Sequence, residues 1–461
     1  MKKVDVAIIG AGSGGLTCAY TAKGFGKSVM IIDKSKPGGE CTWSGCVPSK
    51  ALINQANDIF TAKKYIDFEV NTKEVMDNVR NVINNVYNSE SVDVLEKDGI
   101  DFLSGTAKFI DKNRLNVDGE VVEAKKIFIC TGSSPMIPPI EGLSSLNYLT
   151  NESIFELDEL PHDIIVLGAG AIGIELSQAM NRLGVNVNLV EMADNILPRE
   201  DKELTDMLKK KLESEGVNIY TSHKAVKAYK QEGLIKLALE GPNGPSEVSG
   251  NQILLALGRV PNINGLDLDK ARIKSNRRGI EVNNYLETSA KGVYAVGDVA
   301  GPYMFSHMAN VQGIRAVQNA VLPIKRKINY DNVAWCTFTS PELATSGMTE
   351  AAAREKYGDS IRVYRHSYDN LDRAKTKPGS IGQVKLVVNS KGKVLGCSIL
   401  GDRAGEIISE VQVVKTLGIN FGKLSNVIHP YPTYGEILNK ISKKVLVDNL
   451  LNLPIVKLFK K

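Results

Sequence analysis

Cys41 and Cys46 stand with four residues between them in the segment GGECTWSGCVPSKAL, flanked by Gly38, Gly39, Gly45 and Pro48. Glycine and proline there predict an irregular backbone that enters a helix from about Ser49. On a regular helix, positions five apart point about 140° away from each other, since each residue turns by about 100°. A bridge between the two sulfurs therefore requires a distorted first turn. A thiol near a helix N-terminus loses its proton more readily and becomes the better nucleophile, which is the chemistry of a reversible disulfide. Two buried, inert cysteines would account for the same residues, and that reading suits Cys18, Cys130, Cys336 and Cys397, each standing singly in apolar surroundings. A metal site needs further ligands, and no cluster of His or Cys supplies them, so no metal is expected.

Two glycine fingerprints frame this pair. The apolar run Val4 to Ile9 leads into GAGSGG, with Gly10, Gly12, Gly14 and Gly15. A helical stretch to about Gly26 and an apolar strand Val29 to Ile32 follow, ending on Asp33. The run Ile164 to Leu167 leads in the same way into GAGAIG, with Gly168, Gly170 and Gly173, then a helix to Gly184 and a strand Val185 to Val190 ending on Glu191. Each acid lies 18 residues after the last glycine of its fingerprint, and the two units are offset by 158 residues. The first glycine permits the tight strand-to-helix turn, the second lets backbone approach a pyrophosphate, and the third lets helix pack on strand. Backbone N–H groups and the helix dipole hold the diphosphate, and the carboxylate accepts from ribose hydroxyls. One such match in a chain with 41 glycines is weak, but two complete units predict two dinucleotide sites. At the second, Glu191 suits a bare 2′-hydroxyl and repels a 2′-phosphate, so NADH is expected over NADPH.

The elements that position these residues must fit a chain of 461 residues with 57 basic and 52 acidic side chains, a net charge of +5. At about 150 residues per domain this allows roughly three domains. The 43% apolar content excludes disorder, and the sequence has no apolar run of the length a membrane span needs. The small, dispersed positive excess gives no footprint for nucleic acid. Six cysteines in so long a chain are too sparse for a secreted disulfide scaffold. Lys2 and Lys3 before an apolar stretch imitate a signal peptide, but Asp5 and the glycine loop interrupt it. The start is read as a buried strand and the protein as cytoplasmic.

These motifs resemble those of the pyridine nucleotide-disulfide oxidoreductases, the group containing dihydrolipoamide dehydrogenase, glutathione reductase and mercuric reductase. Besides CTWSGCVPSK, the chain carries GTA at Gly105 to Ala107, CTGSSPMIPPI from Cys130 (with Thr131 and Gly132), ALGRVPN from Ala256 (with Gly258) and VYAVGDVA from Val293 (with Gly297). The resemblance implies an α/β fold with two Rossmann-like dinucleotide-binding domains, for FAD and NAD, and a C-terminal α+β dimerisation domain. The stretches are 1–150 for the first part of the FAD domain, 151–275 for the NAD domain, 276–332 for the returning part of the FAD domain, and 333–461 for the interface domain. FAD would occupy the first fingerprint, with Ala107, Thr131, Gly132, Gly297 and Asp298 along it and Asp298 on the ribityl chain; Asp33 replaces the family's usual Glu. The nicotinamide cofactor would occupy the second, with Gly258 alongside. Cys46 would face the flavin, Cys41 would exchange with substrate, and Lys50 and Glu175 would lie beside the flavin. Electrons would then run from NADH through FAD to the Cys41–Cys46 disulfide and on to a small-molecule acceptor.

In the interface domain, strands at Gly382 to Val388 and Val394 to Leu400 and a helix near Glu406 to Leu417 are expected, forming a homodimer that completes the partner's active site. There the family's His-Pro-Thr segment becomes HPYPTYGE, His429 to Glu436. Pro432, Thr433 and Glu436 match, and Tyr431 takes the place of the catalytic His. A histidine titrates near pH 6.5 and a tyrosine near 10, so Tyr431 cannot shuttle protons at neutral pH. General acid–base help is worth typically 10²–10⁴-fold, and poor dihydrolipoamide dehydrogenase activity is expected. His429, two residues away, is read as a surface or packing residue. Tyrosine at this position resembles mercuric reductases, whose soft metal ion suits thiolates. The reading expects neither their N-terminal metal-carrying domain nor their C-terminal cysteine pair here. It favours a mercuric reductase-like enzyme reducing a disulfide, a quinone-like acceptor or a soft metal. Alternatives are a dihydrolipoamide dehydrogenase and a redox-sensing flavoprotein. Lys443, Lys444, Lys457, Lys460 and Lys461 interleave with apolar residues, but Pro454 breaks any long helix there, so a solvated extension is expected rather than a membrane-surface helix.

Overall fold

The computed structural model describes residues 1–451. Apolar runs too short for helices and bounded by glycine become strands buried on both faces, and they assemble into two parallel sheets. In the first sheet Asp101–Ser104, Val29–Asp33, Lys2–Ile9, Glu120–Ile129 and Val293–Ala295 run side by side and parallel. The last of these arrives after the entire second sheet has been built, so the chain returns to finish what it began. Register aligns Ile9 with both Ile32 and Ile129, and Ile129 with Ala295. Gly10, Asp33, Cys130 and Val296 therefore leave one carboxyl edge together, the place where open parallel sheets bind ligands.

The second sheet repeats the arrangement with Asn218–Tyr220, Asn186–Val190, Asp163–Leu167 and Gln252–Leu255, Leu167 lying opposite both Val190 and Leu255. A two-stranded ribbon, Ser133–Pro135 against Arg259–Pro261, carries the chain between the two sheets. The third sheet is antiparallel: Ala334–Thr337, Glu342–Gly347, Val394–Gly401, Gln383–Asn389 and Ile361–Ser367 in that order. Helices Ala404–Thr416 and Glu436–Leu451 add Ile407, Val411, Ile437 and Ile441 to its core.

Two expectations need correction here. The expected irregular entry to a helix at Ser49 is instead a short helix, Gly39–Trp43, followed by a long one, Cys46–Ala62. The break falls at Ser44 and Gly45, and a Cβ on Gly45 would sit 2.9 Å from the Glu40 carbonyl oxygen. Cys41 and Cys46 thus belong to different helices, and no regular helix has to be distorted to let them meet. Nor do all the remaining cysteines stand singly. Cys18 and Cys130 lie within hydrogen-bonding reach of each other, and burial pushes the Cys18 thiol far above its usual range. The remainder of the basic tail, including Lys457, Lys460 and Lys461, lies outside the described residues.

Candidate active site

Cys41 is half-buried, and Cys46 is exposed at the first position of its helix. The bond that the two coupled thiols share draws one of them, Cys41, down to about 6 against the cost of burial, with Ser306 and Ser13 hydroxyls assisting. The same bond, with burial, pushes Cys46 far up, while Ser306 and Lys50 pull it the other way. One sulfur of the pair therefore ionises near neutral pH and the other keeps its proton. That is the state from which a dithiol attacks an acceptor.

One helical turn beyond Cys46, the Lys50 Nζ lies 2.7 Å from Glu175 Oε2. Glu175 sits on the helix of the second fingerprint, Ala171–Arg182, and is almost wholly buried. Its other oxygen accepts from the Phe338 backbone N–H at 2.8 Å, and the Lys50 Nζ lies 4.6 Å from the centre of the Phe338 ring. A buried carboxylate is tolerable only when paired in this way. Two turns along the same two helices, Arg182 meets Asn57 and forms a buried pair with Glu215 at 2.7 Å. The helix that begins at Cys46 is thereby held against the helix of the second nucleotide unit at two points, two turns apart.

Both glycine loops have the backbone their spacing predicts. Gly10 and Gly168 adopt φ of +107° and +106°. A Cβ on Gly15 would overlap the Gly10 carbonyl oxygen, and one on Gly173 the Gly168 carbonyl oxygen. At Gly170 a Cβ would point into open space, which is room for a diphosphate. The terminal acids are wired alike. Asp33 accepts from the Ala11 N–H at 2.7 Å and the Ser35 N–H at 2.8 Å; Glu191 accepts from Ala169 at 2.7 Å and Ala193 at 2.8 Å. Gly105 donates its N–H to the Asp33 carbonyl, which brings the strand beginning at Ala107 to this corner. Each cradle fits the diphosphate and ribose of a dinucleotide.

Asp298 lies at the same carboxyl edge and accepts from Ser133 Oγ at 2.5 Å, while burial raises its carboxyl. Thr131 and Gly132 are locked to Asn262 across the linking ribbon, Thr131 Oγ1 donating to the Asn262 carbonyl at 2.7 Å. Gly258, at φ +119°, accepts from the Met136 N–H. Gly297, at φ +81°, donates its N–H to Gln312.

Tyr431 and Glu436 are not brought to the dithiol within one chain. The Tyr431 hydroxyl, exposed, donates to Asp372 at 3.1 Å, and that carboxylate holds it above the ordinary tyrosine range. Glu436 opens the helix Glu436–Leu451 and pairs with Lys440 at 3.3 Å. His429 is packed, its side chain 9% exposed, with Nε2 3.0 Å from Glu410.

Several residues at the site went unread in the sequence. Glu40, one position before Cys41, pairs with Arg259 and accepts from Asn151 at 2.8 Å, while burial pushes its carboxyl up to about 7 against the pull of Arg259. Arg259 also donates to Ser133 Oγ at 2.7 Å, linking the cysteine loop to the partner of Asp298. Arg259 and Ser133 fall inside the motifs ALGRVPN and CTGSSP, which was the one available signal. Ser306 and Phe338 had none. Among the described residues no helix is long and apolar enough to cross a membrane, and no group of three or more His, Cys, Asp or Glu could hold a metal ion.

Residues 4–322 match the family "pyridine nucleotide-disulphide oxidoreductase", and residues 333–441 match the dimerisation domain of the same family. A dihydrolipoyl dehydrogenase of Thermus scotoductus is 34% identical, covering 95% of this chain and 96% of that one. A mercuric reductase of Staphylococcus aureus is 30% identical, covering 94% of this chain and 80% of that one. Among solved structures, the Cu(II) complex of the HOCl-induced flavoprotein disulfide reductase RclA from Escherichia coli superposes with a TM-score of 0.88 at 29% identity, covering 96% of this chain and all of that one.

Proposed function

The chain belongs to the pyridine nucleotide-disulphide oxidoreductases, FAD-dependent enzymes that use a pyridine nucleotide, and it carries their dimerisation domain. From that premise we propose that Cys41 and Cys46 form its reversible disulfide, that NADH is the preferred donor, and that the acceptor is a soft or borderline metal ion rather than dihydrolipoamide. The observation that carries the reading is the thiol pair itself: Cys41 and Cys46 at the starts of two consecutive, closely spaced helices, one turn from Lys50, whose amine meets the buried Glu175 carboxylate at 2.7 Å.

Bound FAD would supply the electron chemistry between nicotinamide and disulfide. The protein's part is placement and protons. Gly10, Gly12, Gly14 and Gly15 would hold the flavin's diphosphate against the start of the helix Ser13–Gly24, and Asp33 its ribose. Ala107, Thr131, Gly132, Gly297 and Asp298 would line its length. Gly168, Gly170, Gly173, Glu191 and Gly258 would do the same for the nicotinamide cofactor. Glu191 leaves no positive charge for a 2′-phosphate, which supports NADH. Lys50 and Glu175 would stand beside the reacting ring. In a homodimer, Tyr431 and Glu436 would serve the neighbouring protomer's dithiol.

The choice of acceptor is supported by Tyr431. Held by Asp372 above the usual tyrosine range, it keeps its proton at neutral pH and cannot act as the base that thiol–disulfide exchange with a carbon dithiol calls for. A thiolate pair needs no such base to bind a soft cation. Relatives of this chain include a mercuric reductase and a reductase solved with Cu(II).

Anaerobic mixing of the FAD-loaded enzyme with NADH tests the relay. A long-wavelength thiolate–flavin band is expected in wild type and not in Cys46→Ser; its absence from wild type, or its survival in the variant, sinks the reading. Steady NADH oxidation is then followed with Hg(II), Cu(II), lipoamide, glutathione disulfide and quinones. Turnover on a metal ion supports the proposed acceptor, and efficient turnover on lipoamide overturns it. Reduction without turnover on any acceptor points instead to a redox sensor.

A further inference from the structure

The Tyr431 hydroxyl donates to Asp372, and the group that the chain does bring to the thiol pair stands at the start of the helix Ser306–Val321. The Ser306 Oγ lies 3.5 Å from Cys46 Sγ, across 260 residues of sequence. Three helices begin at this spot with residues that touch or form the dithiol: Ser13 of Ser13–Gly24, Cys46 of Cys46–Ala62 and Ser306 of Ser306–Val321. Their positive ends favour negative charge on sulfur. The Ser306 helix is fixed rigidly. Gln312 ties it to Gly297 and to the Gly301 carbonyl, with bonds of 2.7 and 3.0 Å. Gly313 packs it on the first fingerprint helix, where a Cβ would meet the Gly14 carbonyl oxygen at 3.2 Å. Phe305, just before the serine, stacks on Trp335 and His307 at 6.1 and 5.2 Å between ring centres.

We propose that Ser306 is a catalytic residue whose hydroxyl donates a hydrogen bond to the thiolate of the Cys41–Cys46 pair. The inference rests on the reading of that pair as the redox centre. A hydroxyl at fixed distance can stabilise sulfur charge without changing its own protonation, which suits a site whose acceptor arrives as a cation. Other groups facing the pair act in known directions: Lys50 from the same helix lowers Cys46, and Glu90, which accepts from Thr42 at 2.8 Å, raises Cys41. Ser306 acts on both sulfurs in the lowering direction.

The test compares Ser306→Ala with Ser306→Thr in the FAD-loaded enzyme reduced by NADH without oxygen. Removing a donor raises the thiolate's pKa, so the pH at which the thiolate–flavin band reaches half its height should move up by about one unit in Ser306→Ala, roughly a tenfold loss of thiolate at a fixed acidic pH. Ser306→Thr, which keeps the hydroxyl, should stay near wild type. An unmoved midpoint in Ser306→Ala overturns the proposal. If wild type shows no band at all, the redox pair itself has been misread, and that failure is distinct. Where Ser306→Ala loses its flavin, iodoacetamide capture of the dithiothreitol-reduced pair against pH decides instead. A profile displaced upward supports the bond, and one that coincides with wild type overturns it.

Discussion

The two glycine fingerprints are close copies in backbone and opposite in surroundings. Both begin with a glycine at a φ near +107°, and both pack their third glycine against the carbonyl of the first. Both acids reach the loop N–H at 2.7 Å, although Asp33 is one methylene shorter than Glu191. The first loop is roofed over: Gly39 packs on Gly12, Val296 lies against Gly14, and the dithiol stands above Ser13. The second is open at Gly170, beside exposed Ala171 and Met192. Identical local chemistry thus stands under a cover built by three parts of the chain in one case and beside open space in the other. On the proposed assignment, enclosure rather than the fingerprint would separate a resident cofactor from a co-substrate.

The sharpest way to break that contrast is to place a methyl group at the same point of each loop. Gly15→Ala should lower flavin content by about tenfold or more, because the overlap falls on backbone that cannot yield. Gly173→Ala should keep its flavin and raise KM for NADH by about tenfold. Flavin absorbance per polypeptide and steady-state kinetics read both; equal loss of flavin in the two variants would end the distinction. Next in size is the joint between the units. Lys50→Met leaves the buried Glu175 with the Phe338 N–H as its remaining partner; because Lys50 is partly exposed, the protein should be destabilised by about 1–2 kcal/mol in denaturant unfolding. Glu191→Arg should move the ratio of kcat/KM for NADH over NADPH toward NADPH by about tenfold, since it exchanges a repelled 2′-phosphate for a paired one. The smallest effect is expected from Asp33→Glu, below about 1 kcal/mol and with unchanged flavin content, because both acids already make the same bond. A large loss there would show that the first loop is fitted to the shorter acid.

Much of this site was legible because it is local. A glycine that must turn left-handed, a strand that ends on an acid and a pair of cysteines at a helix entry all declare themselves within about twenty residues. The strands Gln383–Asn389 and Val394–Gly401 and the helix Ala404–Thr416 were legible for the same reason, through apolar patterning. The start of the dithiol helix was misread by three residues. Proline at the third helical position looked like a breaker, yet in a first turn its missing N–H costs nothing. Cys18 and Cys130 looked solitary because their approach depends on the packing of the first helix against the central strand, which no spacing encodes.

The sequence alone determined that this chain builds two dinucleotide cradles, which acid closes each, and that two cysteines lie between them, since those features follow from backbone constraints on individual residues. Only the tertiary structure decided what surrounds the reactive sulfurs. The Lys50–Glu175 pair bridges 125 residues, the Phe338 N–H reaches Glu175 across 163, Arg259 meets Glu40 across 219, and Ser306 meets Cys46 across 260. Cys46, Lys50 and Glu175 had been singled out, the last two through a family motif, whereas Glu40, Arg259, Ser306 and Phe338 had not. The rest depend on which helix starts and sheet edges converge, and that is settled when the core closes, by packing among residues with no regular spacing along the chain.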